Sequence, residues 1–266
     1  YDGPCSAEDN TEGKCFGGSA RLITAIEEAR ARLDNPLLVD AGDQFQGSLM
    51  YSTYKGSAAA EFMNMIGFDA MAVGNHEFDD GPEKLAAFID AVDVPVVSGN
   101  LDVSAEPLLA GKFGGPLVLE VGGERIGIVS ALATDTVETS SPGPNVIFAD
   151  EVESVAAQAA ALEADGVTKI IALTHVGLPM DIRIAQGAAG VDAVVGGHSH
   201  TSLSSSDDGA AGASPVMADG PGGVQVPVVQ AYAYSKYVGE LELVFDDAGV
   251  VTAASGDTHL LDASVT

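Results

Sequence analysis

The sequence predicts an α/β fold in which strands gather into a mixed sheet, or into two sheets packed face to face, with helices outside. Three observations predict it. Short apolar runs alternate with amphipathic stretches from Gly17 to Val97, the rhythm of βα units. Past Pro116 that rhythm gives way to paired β runs around a double glycine, the mark of a hairpin. Four apolar runs end abruptly in polar residues, as strands do when their carboxyl ends carry a site.

Taken in order, Gly17-Gly18-Ser19-Ala20 opens a helix reaching about Leu33. Leu22, Ile23 and Ile26 share one face, and Glu27, Glu28, Arg30 and Arg32 lie mostly on the other. Asn35-Pro36 ends it, and a strand over 37–39 follows. Then come a loop over 42–47, a helix over about 57–66, a strand over 69–73, the loop around Asn75, and a helix over 82–91 with proline in its first turn. Residues 94–97 read as a strand. Segments 117–121 and 125–129 flank Gly122-Gly123, a pair suited to the positive φ angles of a tight primed turn. A proline-punctuated loop leads to an alanine-rich helix over 150–164, a buried strand over 168–173, a short helix over 180–186 and a strand over 191–195. Segment 202–223, small, polar and glycine-rich, reads as a long surface loop. Strands over 224–229 and 237–245 follow, and a last one opens at 249–253 after the turn Asp246-Asp247-Ala248-Gly249. Asp257-Thr258-His259 falls in a polar tail beyond it.

With 266 residues, 46% of them hydrophobic, and 32 glycines, the chain suits one large loop-rich domain over residues 1–266. No apolar run approaches the roughly 20 residues of a membrane span, and no leader-like segment is present, so a soluble, already processed chain is expected. Asp and Glu number 39 against 11 Lys and Arg, a formal net charge of -28. That balance excludes nucleic-acid polymers and anionic membranes as partners, and it suits salty or extracellular surroundings. A small anionic substrate still binds where metal cations invert the local field. Cys5 and Cys15, the two cysteines, flank a polar segment. A disulfide in an oxidising compartment, two free thiols and half of a metal site are the readings open to them.

The chemistry lies in four loops. Leu37-Leu38-Val39 leads into Asp40-Ala41-Gly42-Asp43-Gln44, and Ala70-Met71-Ala72-Val73 into Gly74-Asn75-His76-Glu77-Phe78-Asp79. Ile170-Ile171-Ala172-Leu173 leads into Thr174-His175, and the 191–195 run into Gly196-Gly197-His198-Ser199-His200. Asp43, Asn75, His175 and His198 offer a carboxylate, an amide oxygen and two imidazoles, a set suited to a first-row divalent ion such as zinc or manganese. His200 can face the same place, and a second ion can share Asp43. Two such ions clamp a phosphoryl group and generate hydroxide at neutral pH. Singly, each feature has a bland reading: His175 as a hydrogen-bonded loop residue, Asn75-His76-Glu77 as a capping turn. Jointly, they argue for a site.

Gly42-Asp43-Gln44-Phe45-Gln46-Gly47, Gly74-Asn75-His76-Glu77-Phe78-Asp79, Thr174-His175 and Gly197-His198-Ser199-His200-Thr201 resemble the signatures of calcineurin-like metallophosphoesterases, in wording nearest the 5'-nucleotidase / UDP-sugar hydrolase family. Gly17-Gly18-Ser19-Ala20-Arg21-Leu22, Tyr54-Lys55-Gly56 and the segment 255–262 resemble that family's catalytic domain too, and the cysteine pair fits its secreted members.

The resemblance implies a four-layer α-β-β-α sandwich of two mixed sheets flanked by helices. It also implies two divalent ions, with Asp43 bridging, Asn75, His175 and His198 completing one site, and His200 in the other. His76 would steady the transition state and Asp79 would orient its ring. The activity implied is hydrolysis of nucleotide phosphate esters by in-line attack of metal-bound hydroxide, in a periplasmic or secreted protein. A 2',3'-cyclic nucleotide phosphodiesterase and a thiosulfohydrolase share much of this loop set.

Two departures bear on these expectations. The family's first strand, ending in Asp-x-His, supplies two more ligands and has no counterpart between Tyr1 and Gly17, so one metal site is expected to be incomplete. Asp257-Thr258-His259 is not expected to replace it. The family's carboxyl-terminal nucleotide-specificity domain likewise has no counterpart in these 266 residues. A non-catalytic metal-binding domain is therefore the rival from a different class.

Overall fold

The computed structural model of the protein describes residues 5–265. A Cys5–Cys15 disulfide encloses helix α1 (Ala7–Thr11), which Ser6 caps by accepting from the Asp9 N–H. Then follow α2 (Ser19–Arg32), β1 (Val39–Asp40), α3 (Leu49–Tyr54), α4 (Ser57–Ile66), β2 (Ala70–Ala72), α5 (Pro82–Ala91), β3 (Val96–Val97) and β4 (Leu101–Asp102). The second half comprises β5 (Leu117–Val121), β6 (Glu124–Leu132), α6 (Thr136–Thr139), β7 (Ile147–Phe148), α7 (Glu151–Ala164), β8 (Lys169–His175), α8 (Leu178–Gly187), β9 (Ala193–Val195), β10 (Val216–Asp219), β11 (Gln225–Val229), β12 (Tyr237–Phe245) and β13 (Val251–Leu260).

Two sheets form the middle of the molecule. In the smaller, β1, β2 and β3 run parallel in that order. In the larger, the order is β10-β11-β9-β8-β6-β5, with β6, β8, β9 and β11 parallel and antiparallel strands at both edges. Ala70, Ala72 and Val97 of the small sheet meet Ile126, Ile128 and Leu173 of the large one. Small side chains on one sheet facing branched ones on the other let the sheets approach without a void. On the outer face of the small sheet, Met63, Leu85 and Phe88 cover Met71 and Val73. On the outer face of the large sheet, Val155, Ala159, Leu162 and Ile184 cover Val129, Ile170, Ala172 and Val194. Each buried Val, Leu, Ile, Met or Phe among them contributes roughly 1.5–3 kcal/mol of transfer free energy. The result is the four-layer α-β-β-α order.

Several local expectations are corrected. The small sheet is all-parallel among the described residues, whereas two mixed sheets were expected. Helix α3 lies between the expected loop over 42–47 and the expected helix over 57–66, where no element was expected; at six residues it is too short to show periodicity, and the Ser48 hydroxyl caps it by accepting from the Tyr51 N–H. The long loop over 202–223 contains β10, whose only buried residue is Ala218, so no alternation marks it. Asp257 and His259 stand in β13, opposite Glu240 and Val238, rather than in a tail. The β12–β13 ribbon is largely solvent-facing, which is why its second strand carries polar residues. Strand β8 runs two residues past Leu173 and includes His175.

Candidate active site

Asp43 follows β1, and Asn75, His76 and Asp79 follow β2. His175 ends β8, and His198 and His200 follow β9. Parallel pairing brings these strand ends to one edge of the sandwich. Two glycines make the approach possible. A Cβ at Gly42 would lie 2.6 Å from the Gly74 nitrogen, and one at Gly74 would lie 2.3 Å from Asp43 Oδ1. Asp43, His198 and His200 themselves have φ of 64°, 73° and 49°, the left-handed backbone that non-glycine residues adopt at a cost of about 1–3 kcal/mol.

Four of the expected side chains converge. His175 Nε2 lies 3.0 Å from Asp43 Oδ2 and 3.2 Å from Asn75 Oδ1, and His198 Nδ1 lies 2.8 Å from Asn75 Oδ1. Among the described residues no trio of His, Cys, Asp and Glu alone is arranged to hold a metal; the Asn75 amide oxygen joins the Asp43–His175 pair to His198. His175 Nδ1–H donates to the Ala41 carbonyl at 2.6 Å, so Nε2 is the nitrogen left to face the group. Two oxygens and two ring nitrogens, all able to present lone pairs, then surround one point. Such a cluster needs a cation, either protons or a metal. Ligands bound to zinc at about 2.0–2.2 Å sit roughly 3.3 Å apart on a tetrahedron, so the donor set and its spacing fit a divalent ion.

The electrostatics agree with that reading. Burial opposes the imidazolium of His175, but the Asp43 hydrogen bond and charge outweigh it and hold His175 above the usual histidine range. Burial likewise raises Asp43, while the His175 hydrogen bond and charge bring it below the carboxylate range. His198 is pushed down, first by burial and then by the nearby His175 charge.

His76 faces away from this cluster. Its Nδ1 hydrogen-bonds Asp79 Oδ2 at 2.7 Å, and its backbone N–H donates to Asp43 Oδ1 at 2.9 Å. The Asp79 bond and the Asp43 charge overcome burial and raise His76. With Nδ1 engaged and the side chain 41% exposed, Nε2 is left for a ligand. His200 lies at the margin. Its ring packs edge-on against Tyr234 at 5.2 Å, with no hydrogen bond to Asp43 in this structure.

Several residues that serve the site escape sequence reading. Glu77, fully buried, accepts N–H bonds from Gly74 at 2.6 Å, Asp43 at 2.9 Å and Phe45 at 3.1 Å, and so ties the two loops together. Burial and the Asp43 charge push its carboxyl to about 7. Asp181, also fully buried, accepts from Thr174 Oγ1 at 2.6 Å and Gln230 Nε2 at 2.7 Å. Gln230 in turn donates to Gly197 O at 2.9 Å and accepts from the Thr201 N–H at 3.2 Å, bracketing the His198–His200 loop. The proximity of Glu77 to Asn75 was the one sequence signal for these residues. Asp257 and His259 are engaged elsewhere: Asp257 Oδ1 accepts from the Ser205 N–H at 3.0 Å, and His259 Nε2 lies 3.6 Å from Glu240 Oε2.

Known proteins resemble this chain in sequence and in fold. A 5'-nucleotidase of Diplobatis ommata is 46% identical over 264 residues, covering 95% of this chain and 46% of its own length. The crystal structure of a 5'-nucleotidase precursor from Thermus thermophilus superposes with a TM-score of 0.92 at 43% identity, over 94% of this chain and 50% of that one. The Haemophilus influenzae NAD nucleotidase gives 0.88 at 32% identity, over 93% of this chain and 50% of that one. The chain thus spans about half the length of these relatives. Residues 13–202 match the calcineurin-like phosphoesterase family, and the chain belongs to that family.

Proposed function

We propose that the chain is a metal-dependent phosphohydrolase domain of 5'-nucleotidase type, one domain over residues 1–266, that cleaves phosphate esters of nucleotides. The observation that carries this reading is the convergence of Asp43, Asn75, His175 and His198 beside a His76–Asp79 pair. In this reading Asp43, Asn75, His175 and His198 hold one divalent ion, and Asp43 and His200 contribute to a second, zinc or manganese in either case. When bound, the ions supply Lewis acidity toward the phosphoryl oxygens and an activated water. His76 meets the negative charge that grows on the phosphoryl group, as a cationic donor held by Asp79. Glu77 keeps the Asp43 and Asn75 loops in one arrangement, so that no reorganisation is needed as charge develops.

The names of the relatives support a nucleotide as substrate, and the acidic surface and the disulfide support a secreted or periplasmic setting. No helix among the described residues is long and apolar enough to cross a membrane. The test uses protein stripped of metal and reloaded with zinc or manganese. It is offered a nucleoside 5'-monophosphate, a 2',3'-cyclic nucleotide, a dinucleotide and a thiosulfonate, while bound metal is counted. Metal-dependent phosphate release from the monophosphate, with close to two equivalents bound, is the expected result. Turnover of another substrate alone would move the assignment to that activity. One equivalent or fewer, with no hydrolysis at all, would favour the non-catalytic metal-binding reading.

A further inference from the structure

Ser140 stands 61 residues beyond Asp79 in sequence, yet its hydroxyl donates to Asp79 Oδ1 at 2.7 Å. The other carboxylate oxygen, Oδ2, takes the His76 Nδ1 bond, also at 2.7 Å. Both oxygens of Asp79 are therefore occupied, and Ser140, Asp79 and His76 form one continuous chain. The Ser140 hydroxyl is not needed to finish α6, because its backbone N–H already closes that turn by donating to Thr136 O at 3.0 Å. Nor is Ser140 on a loose loop. Thr136 is fully buried and donates through Oγ1 to Ala133 O at 2.7 Å, while the Ala133 N–H donates to the His175 carbonyl at 3.0 Å. Asp135, at the head of the same turn, places Oδ1 3.8 Å from His198 Nε2. One short turn thus touches the His76 pair at one end and the His175–His198 cluster at the other.

We propose that Ser140 is a positioning residue for His76, and that the 133–140 turn is the bracket holding this imidazole in fixed relation to the metal-binding histidines. A carboxylate bonded only to the ring can rotate about its terminal torsion and carry the ring with it; a second bond on the opposite oxygen removes that freedom. The ring is then presented with Nε2 outward in every encounter with substrate, without Ser140 touching substrate itself. This inference rests on the reading of His76 as the group that meets the transferred phosphoryl.

The test compares Ser140→Ala and Ser140→Thr in the metal-loaded full chain. Loss of the hydroxyl is expected to lower kcat roughly tenfold, the lower end of the range for outer-shell partners, with KM and bound metal unchanged. Threonine keeps the donor, and the extended backbone at position 140 (φ -147°) accepts a β-branched side chain, so it should restore most of the rate. In a His76→Ala background, Ser140→Ala should cost nothing further, because its effect passes through the ring. A normal kcat for Ser140→Ala beside an inactive His76→Ala would overturn the proposal alone. Equal loss in the alanine and threonine variants, accompanied by metal loss, would overturn it in favour of a purely structural role. An active His76→Ala would instead remove the reading beneath it.

Discussion

His175 Nε2 lies 3.0 Å from Asp43 Oδ2 while its Nδ1–H is spent on the Ala41 carbonyl 2.6 Å away. The ring thereby turns one nitrogen toward Asp43, and against the burial that disfavours it the Asp43 hydrogen bond and charge favour a proton there. In the proposed site a metal would have to displace that proton. Binding of zinc or manganese near neutral pH should release about one proton, and affinity should rise with pH until the raised His175 pKa is passed. Calorimetry in buffers of different ionisation enthalpy reads the number directly; no release would mean that His175 is already neutral.

His76→Ala should lower turnover by about two to four orders of magnitude, the range for a lost proton-bearing group in the transition state. Metal content should stay near that of the parent protein, since the imidazole faces Asp79 and not the Asn75 cluster. Metal analysis alongside kinetics decides, and parallel loss of metal would make His76 a ligand instead.

Glu77→Gln keeps one oxygen, which can still accept from the Gly74 and Asp43 N–H groups, and sets an amide NH2 against the N–H of Phe45. Two buried donors left facing each other should cost roughly 1–3 kcal/mol in urea unfolding and weaken metal binding by about tenfold or more. A variant as stable and as avid as the parent would show that the two loops hold together without this carboxylate.

Burial lifts the Asp181 carboxyl to about 7 from an ordinary 3.8. The folded state therefore binds its proton more tightly than the unfolded chain does. The associated stability is complete below about pH 4 and is lost as pH rises to about 7, on the order of 4 kcal/mol at most. Asp40 and Glu77, raised by burial to about 6 and about 7, slope the same way. In metal-free protein, Asp181→Asn should flatten the fall in unfolding free energy between pH 4 and 8 relative to the parent. Two parallel curves would mean that Asp181 keeps no raised pKa in the fold.

What sequence reading reached depends on where each residue's partners lie. The helix Pro82–Ala91 and the Gly122-Gly123 hairpin are legible because proline, spacing and turn chemistry act within a few residues. Asp43, Asn75, His175 and His198 are legible because ligand-type residues crowd the ends of apolar runs. Asp181, Gln230 and Ser140 are not, since the polar groups they serve lie 7, 49 and 61 residues away along the chain and nothing local distinguishes them from surface polar residues. β10 and the second half of β13 are hidden for a different reason: strands with one solvated face and few apolar residues resemble loop in composition.

Gly42 and Gly74 pack so closely that neither position has room for a methyl group. Asp43 and Asn75 therefore hang from two backbones already at contact distance, and the separation from which their side chains start is set by the pairing of β1 with β2. In the proposed metal site, a change of side chain at either position would alter the reach of an oxygen without altering the spacing of the backbones that carry it.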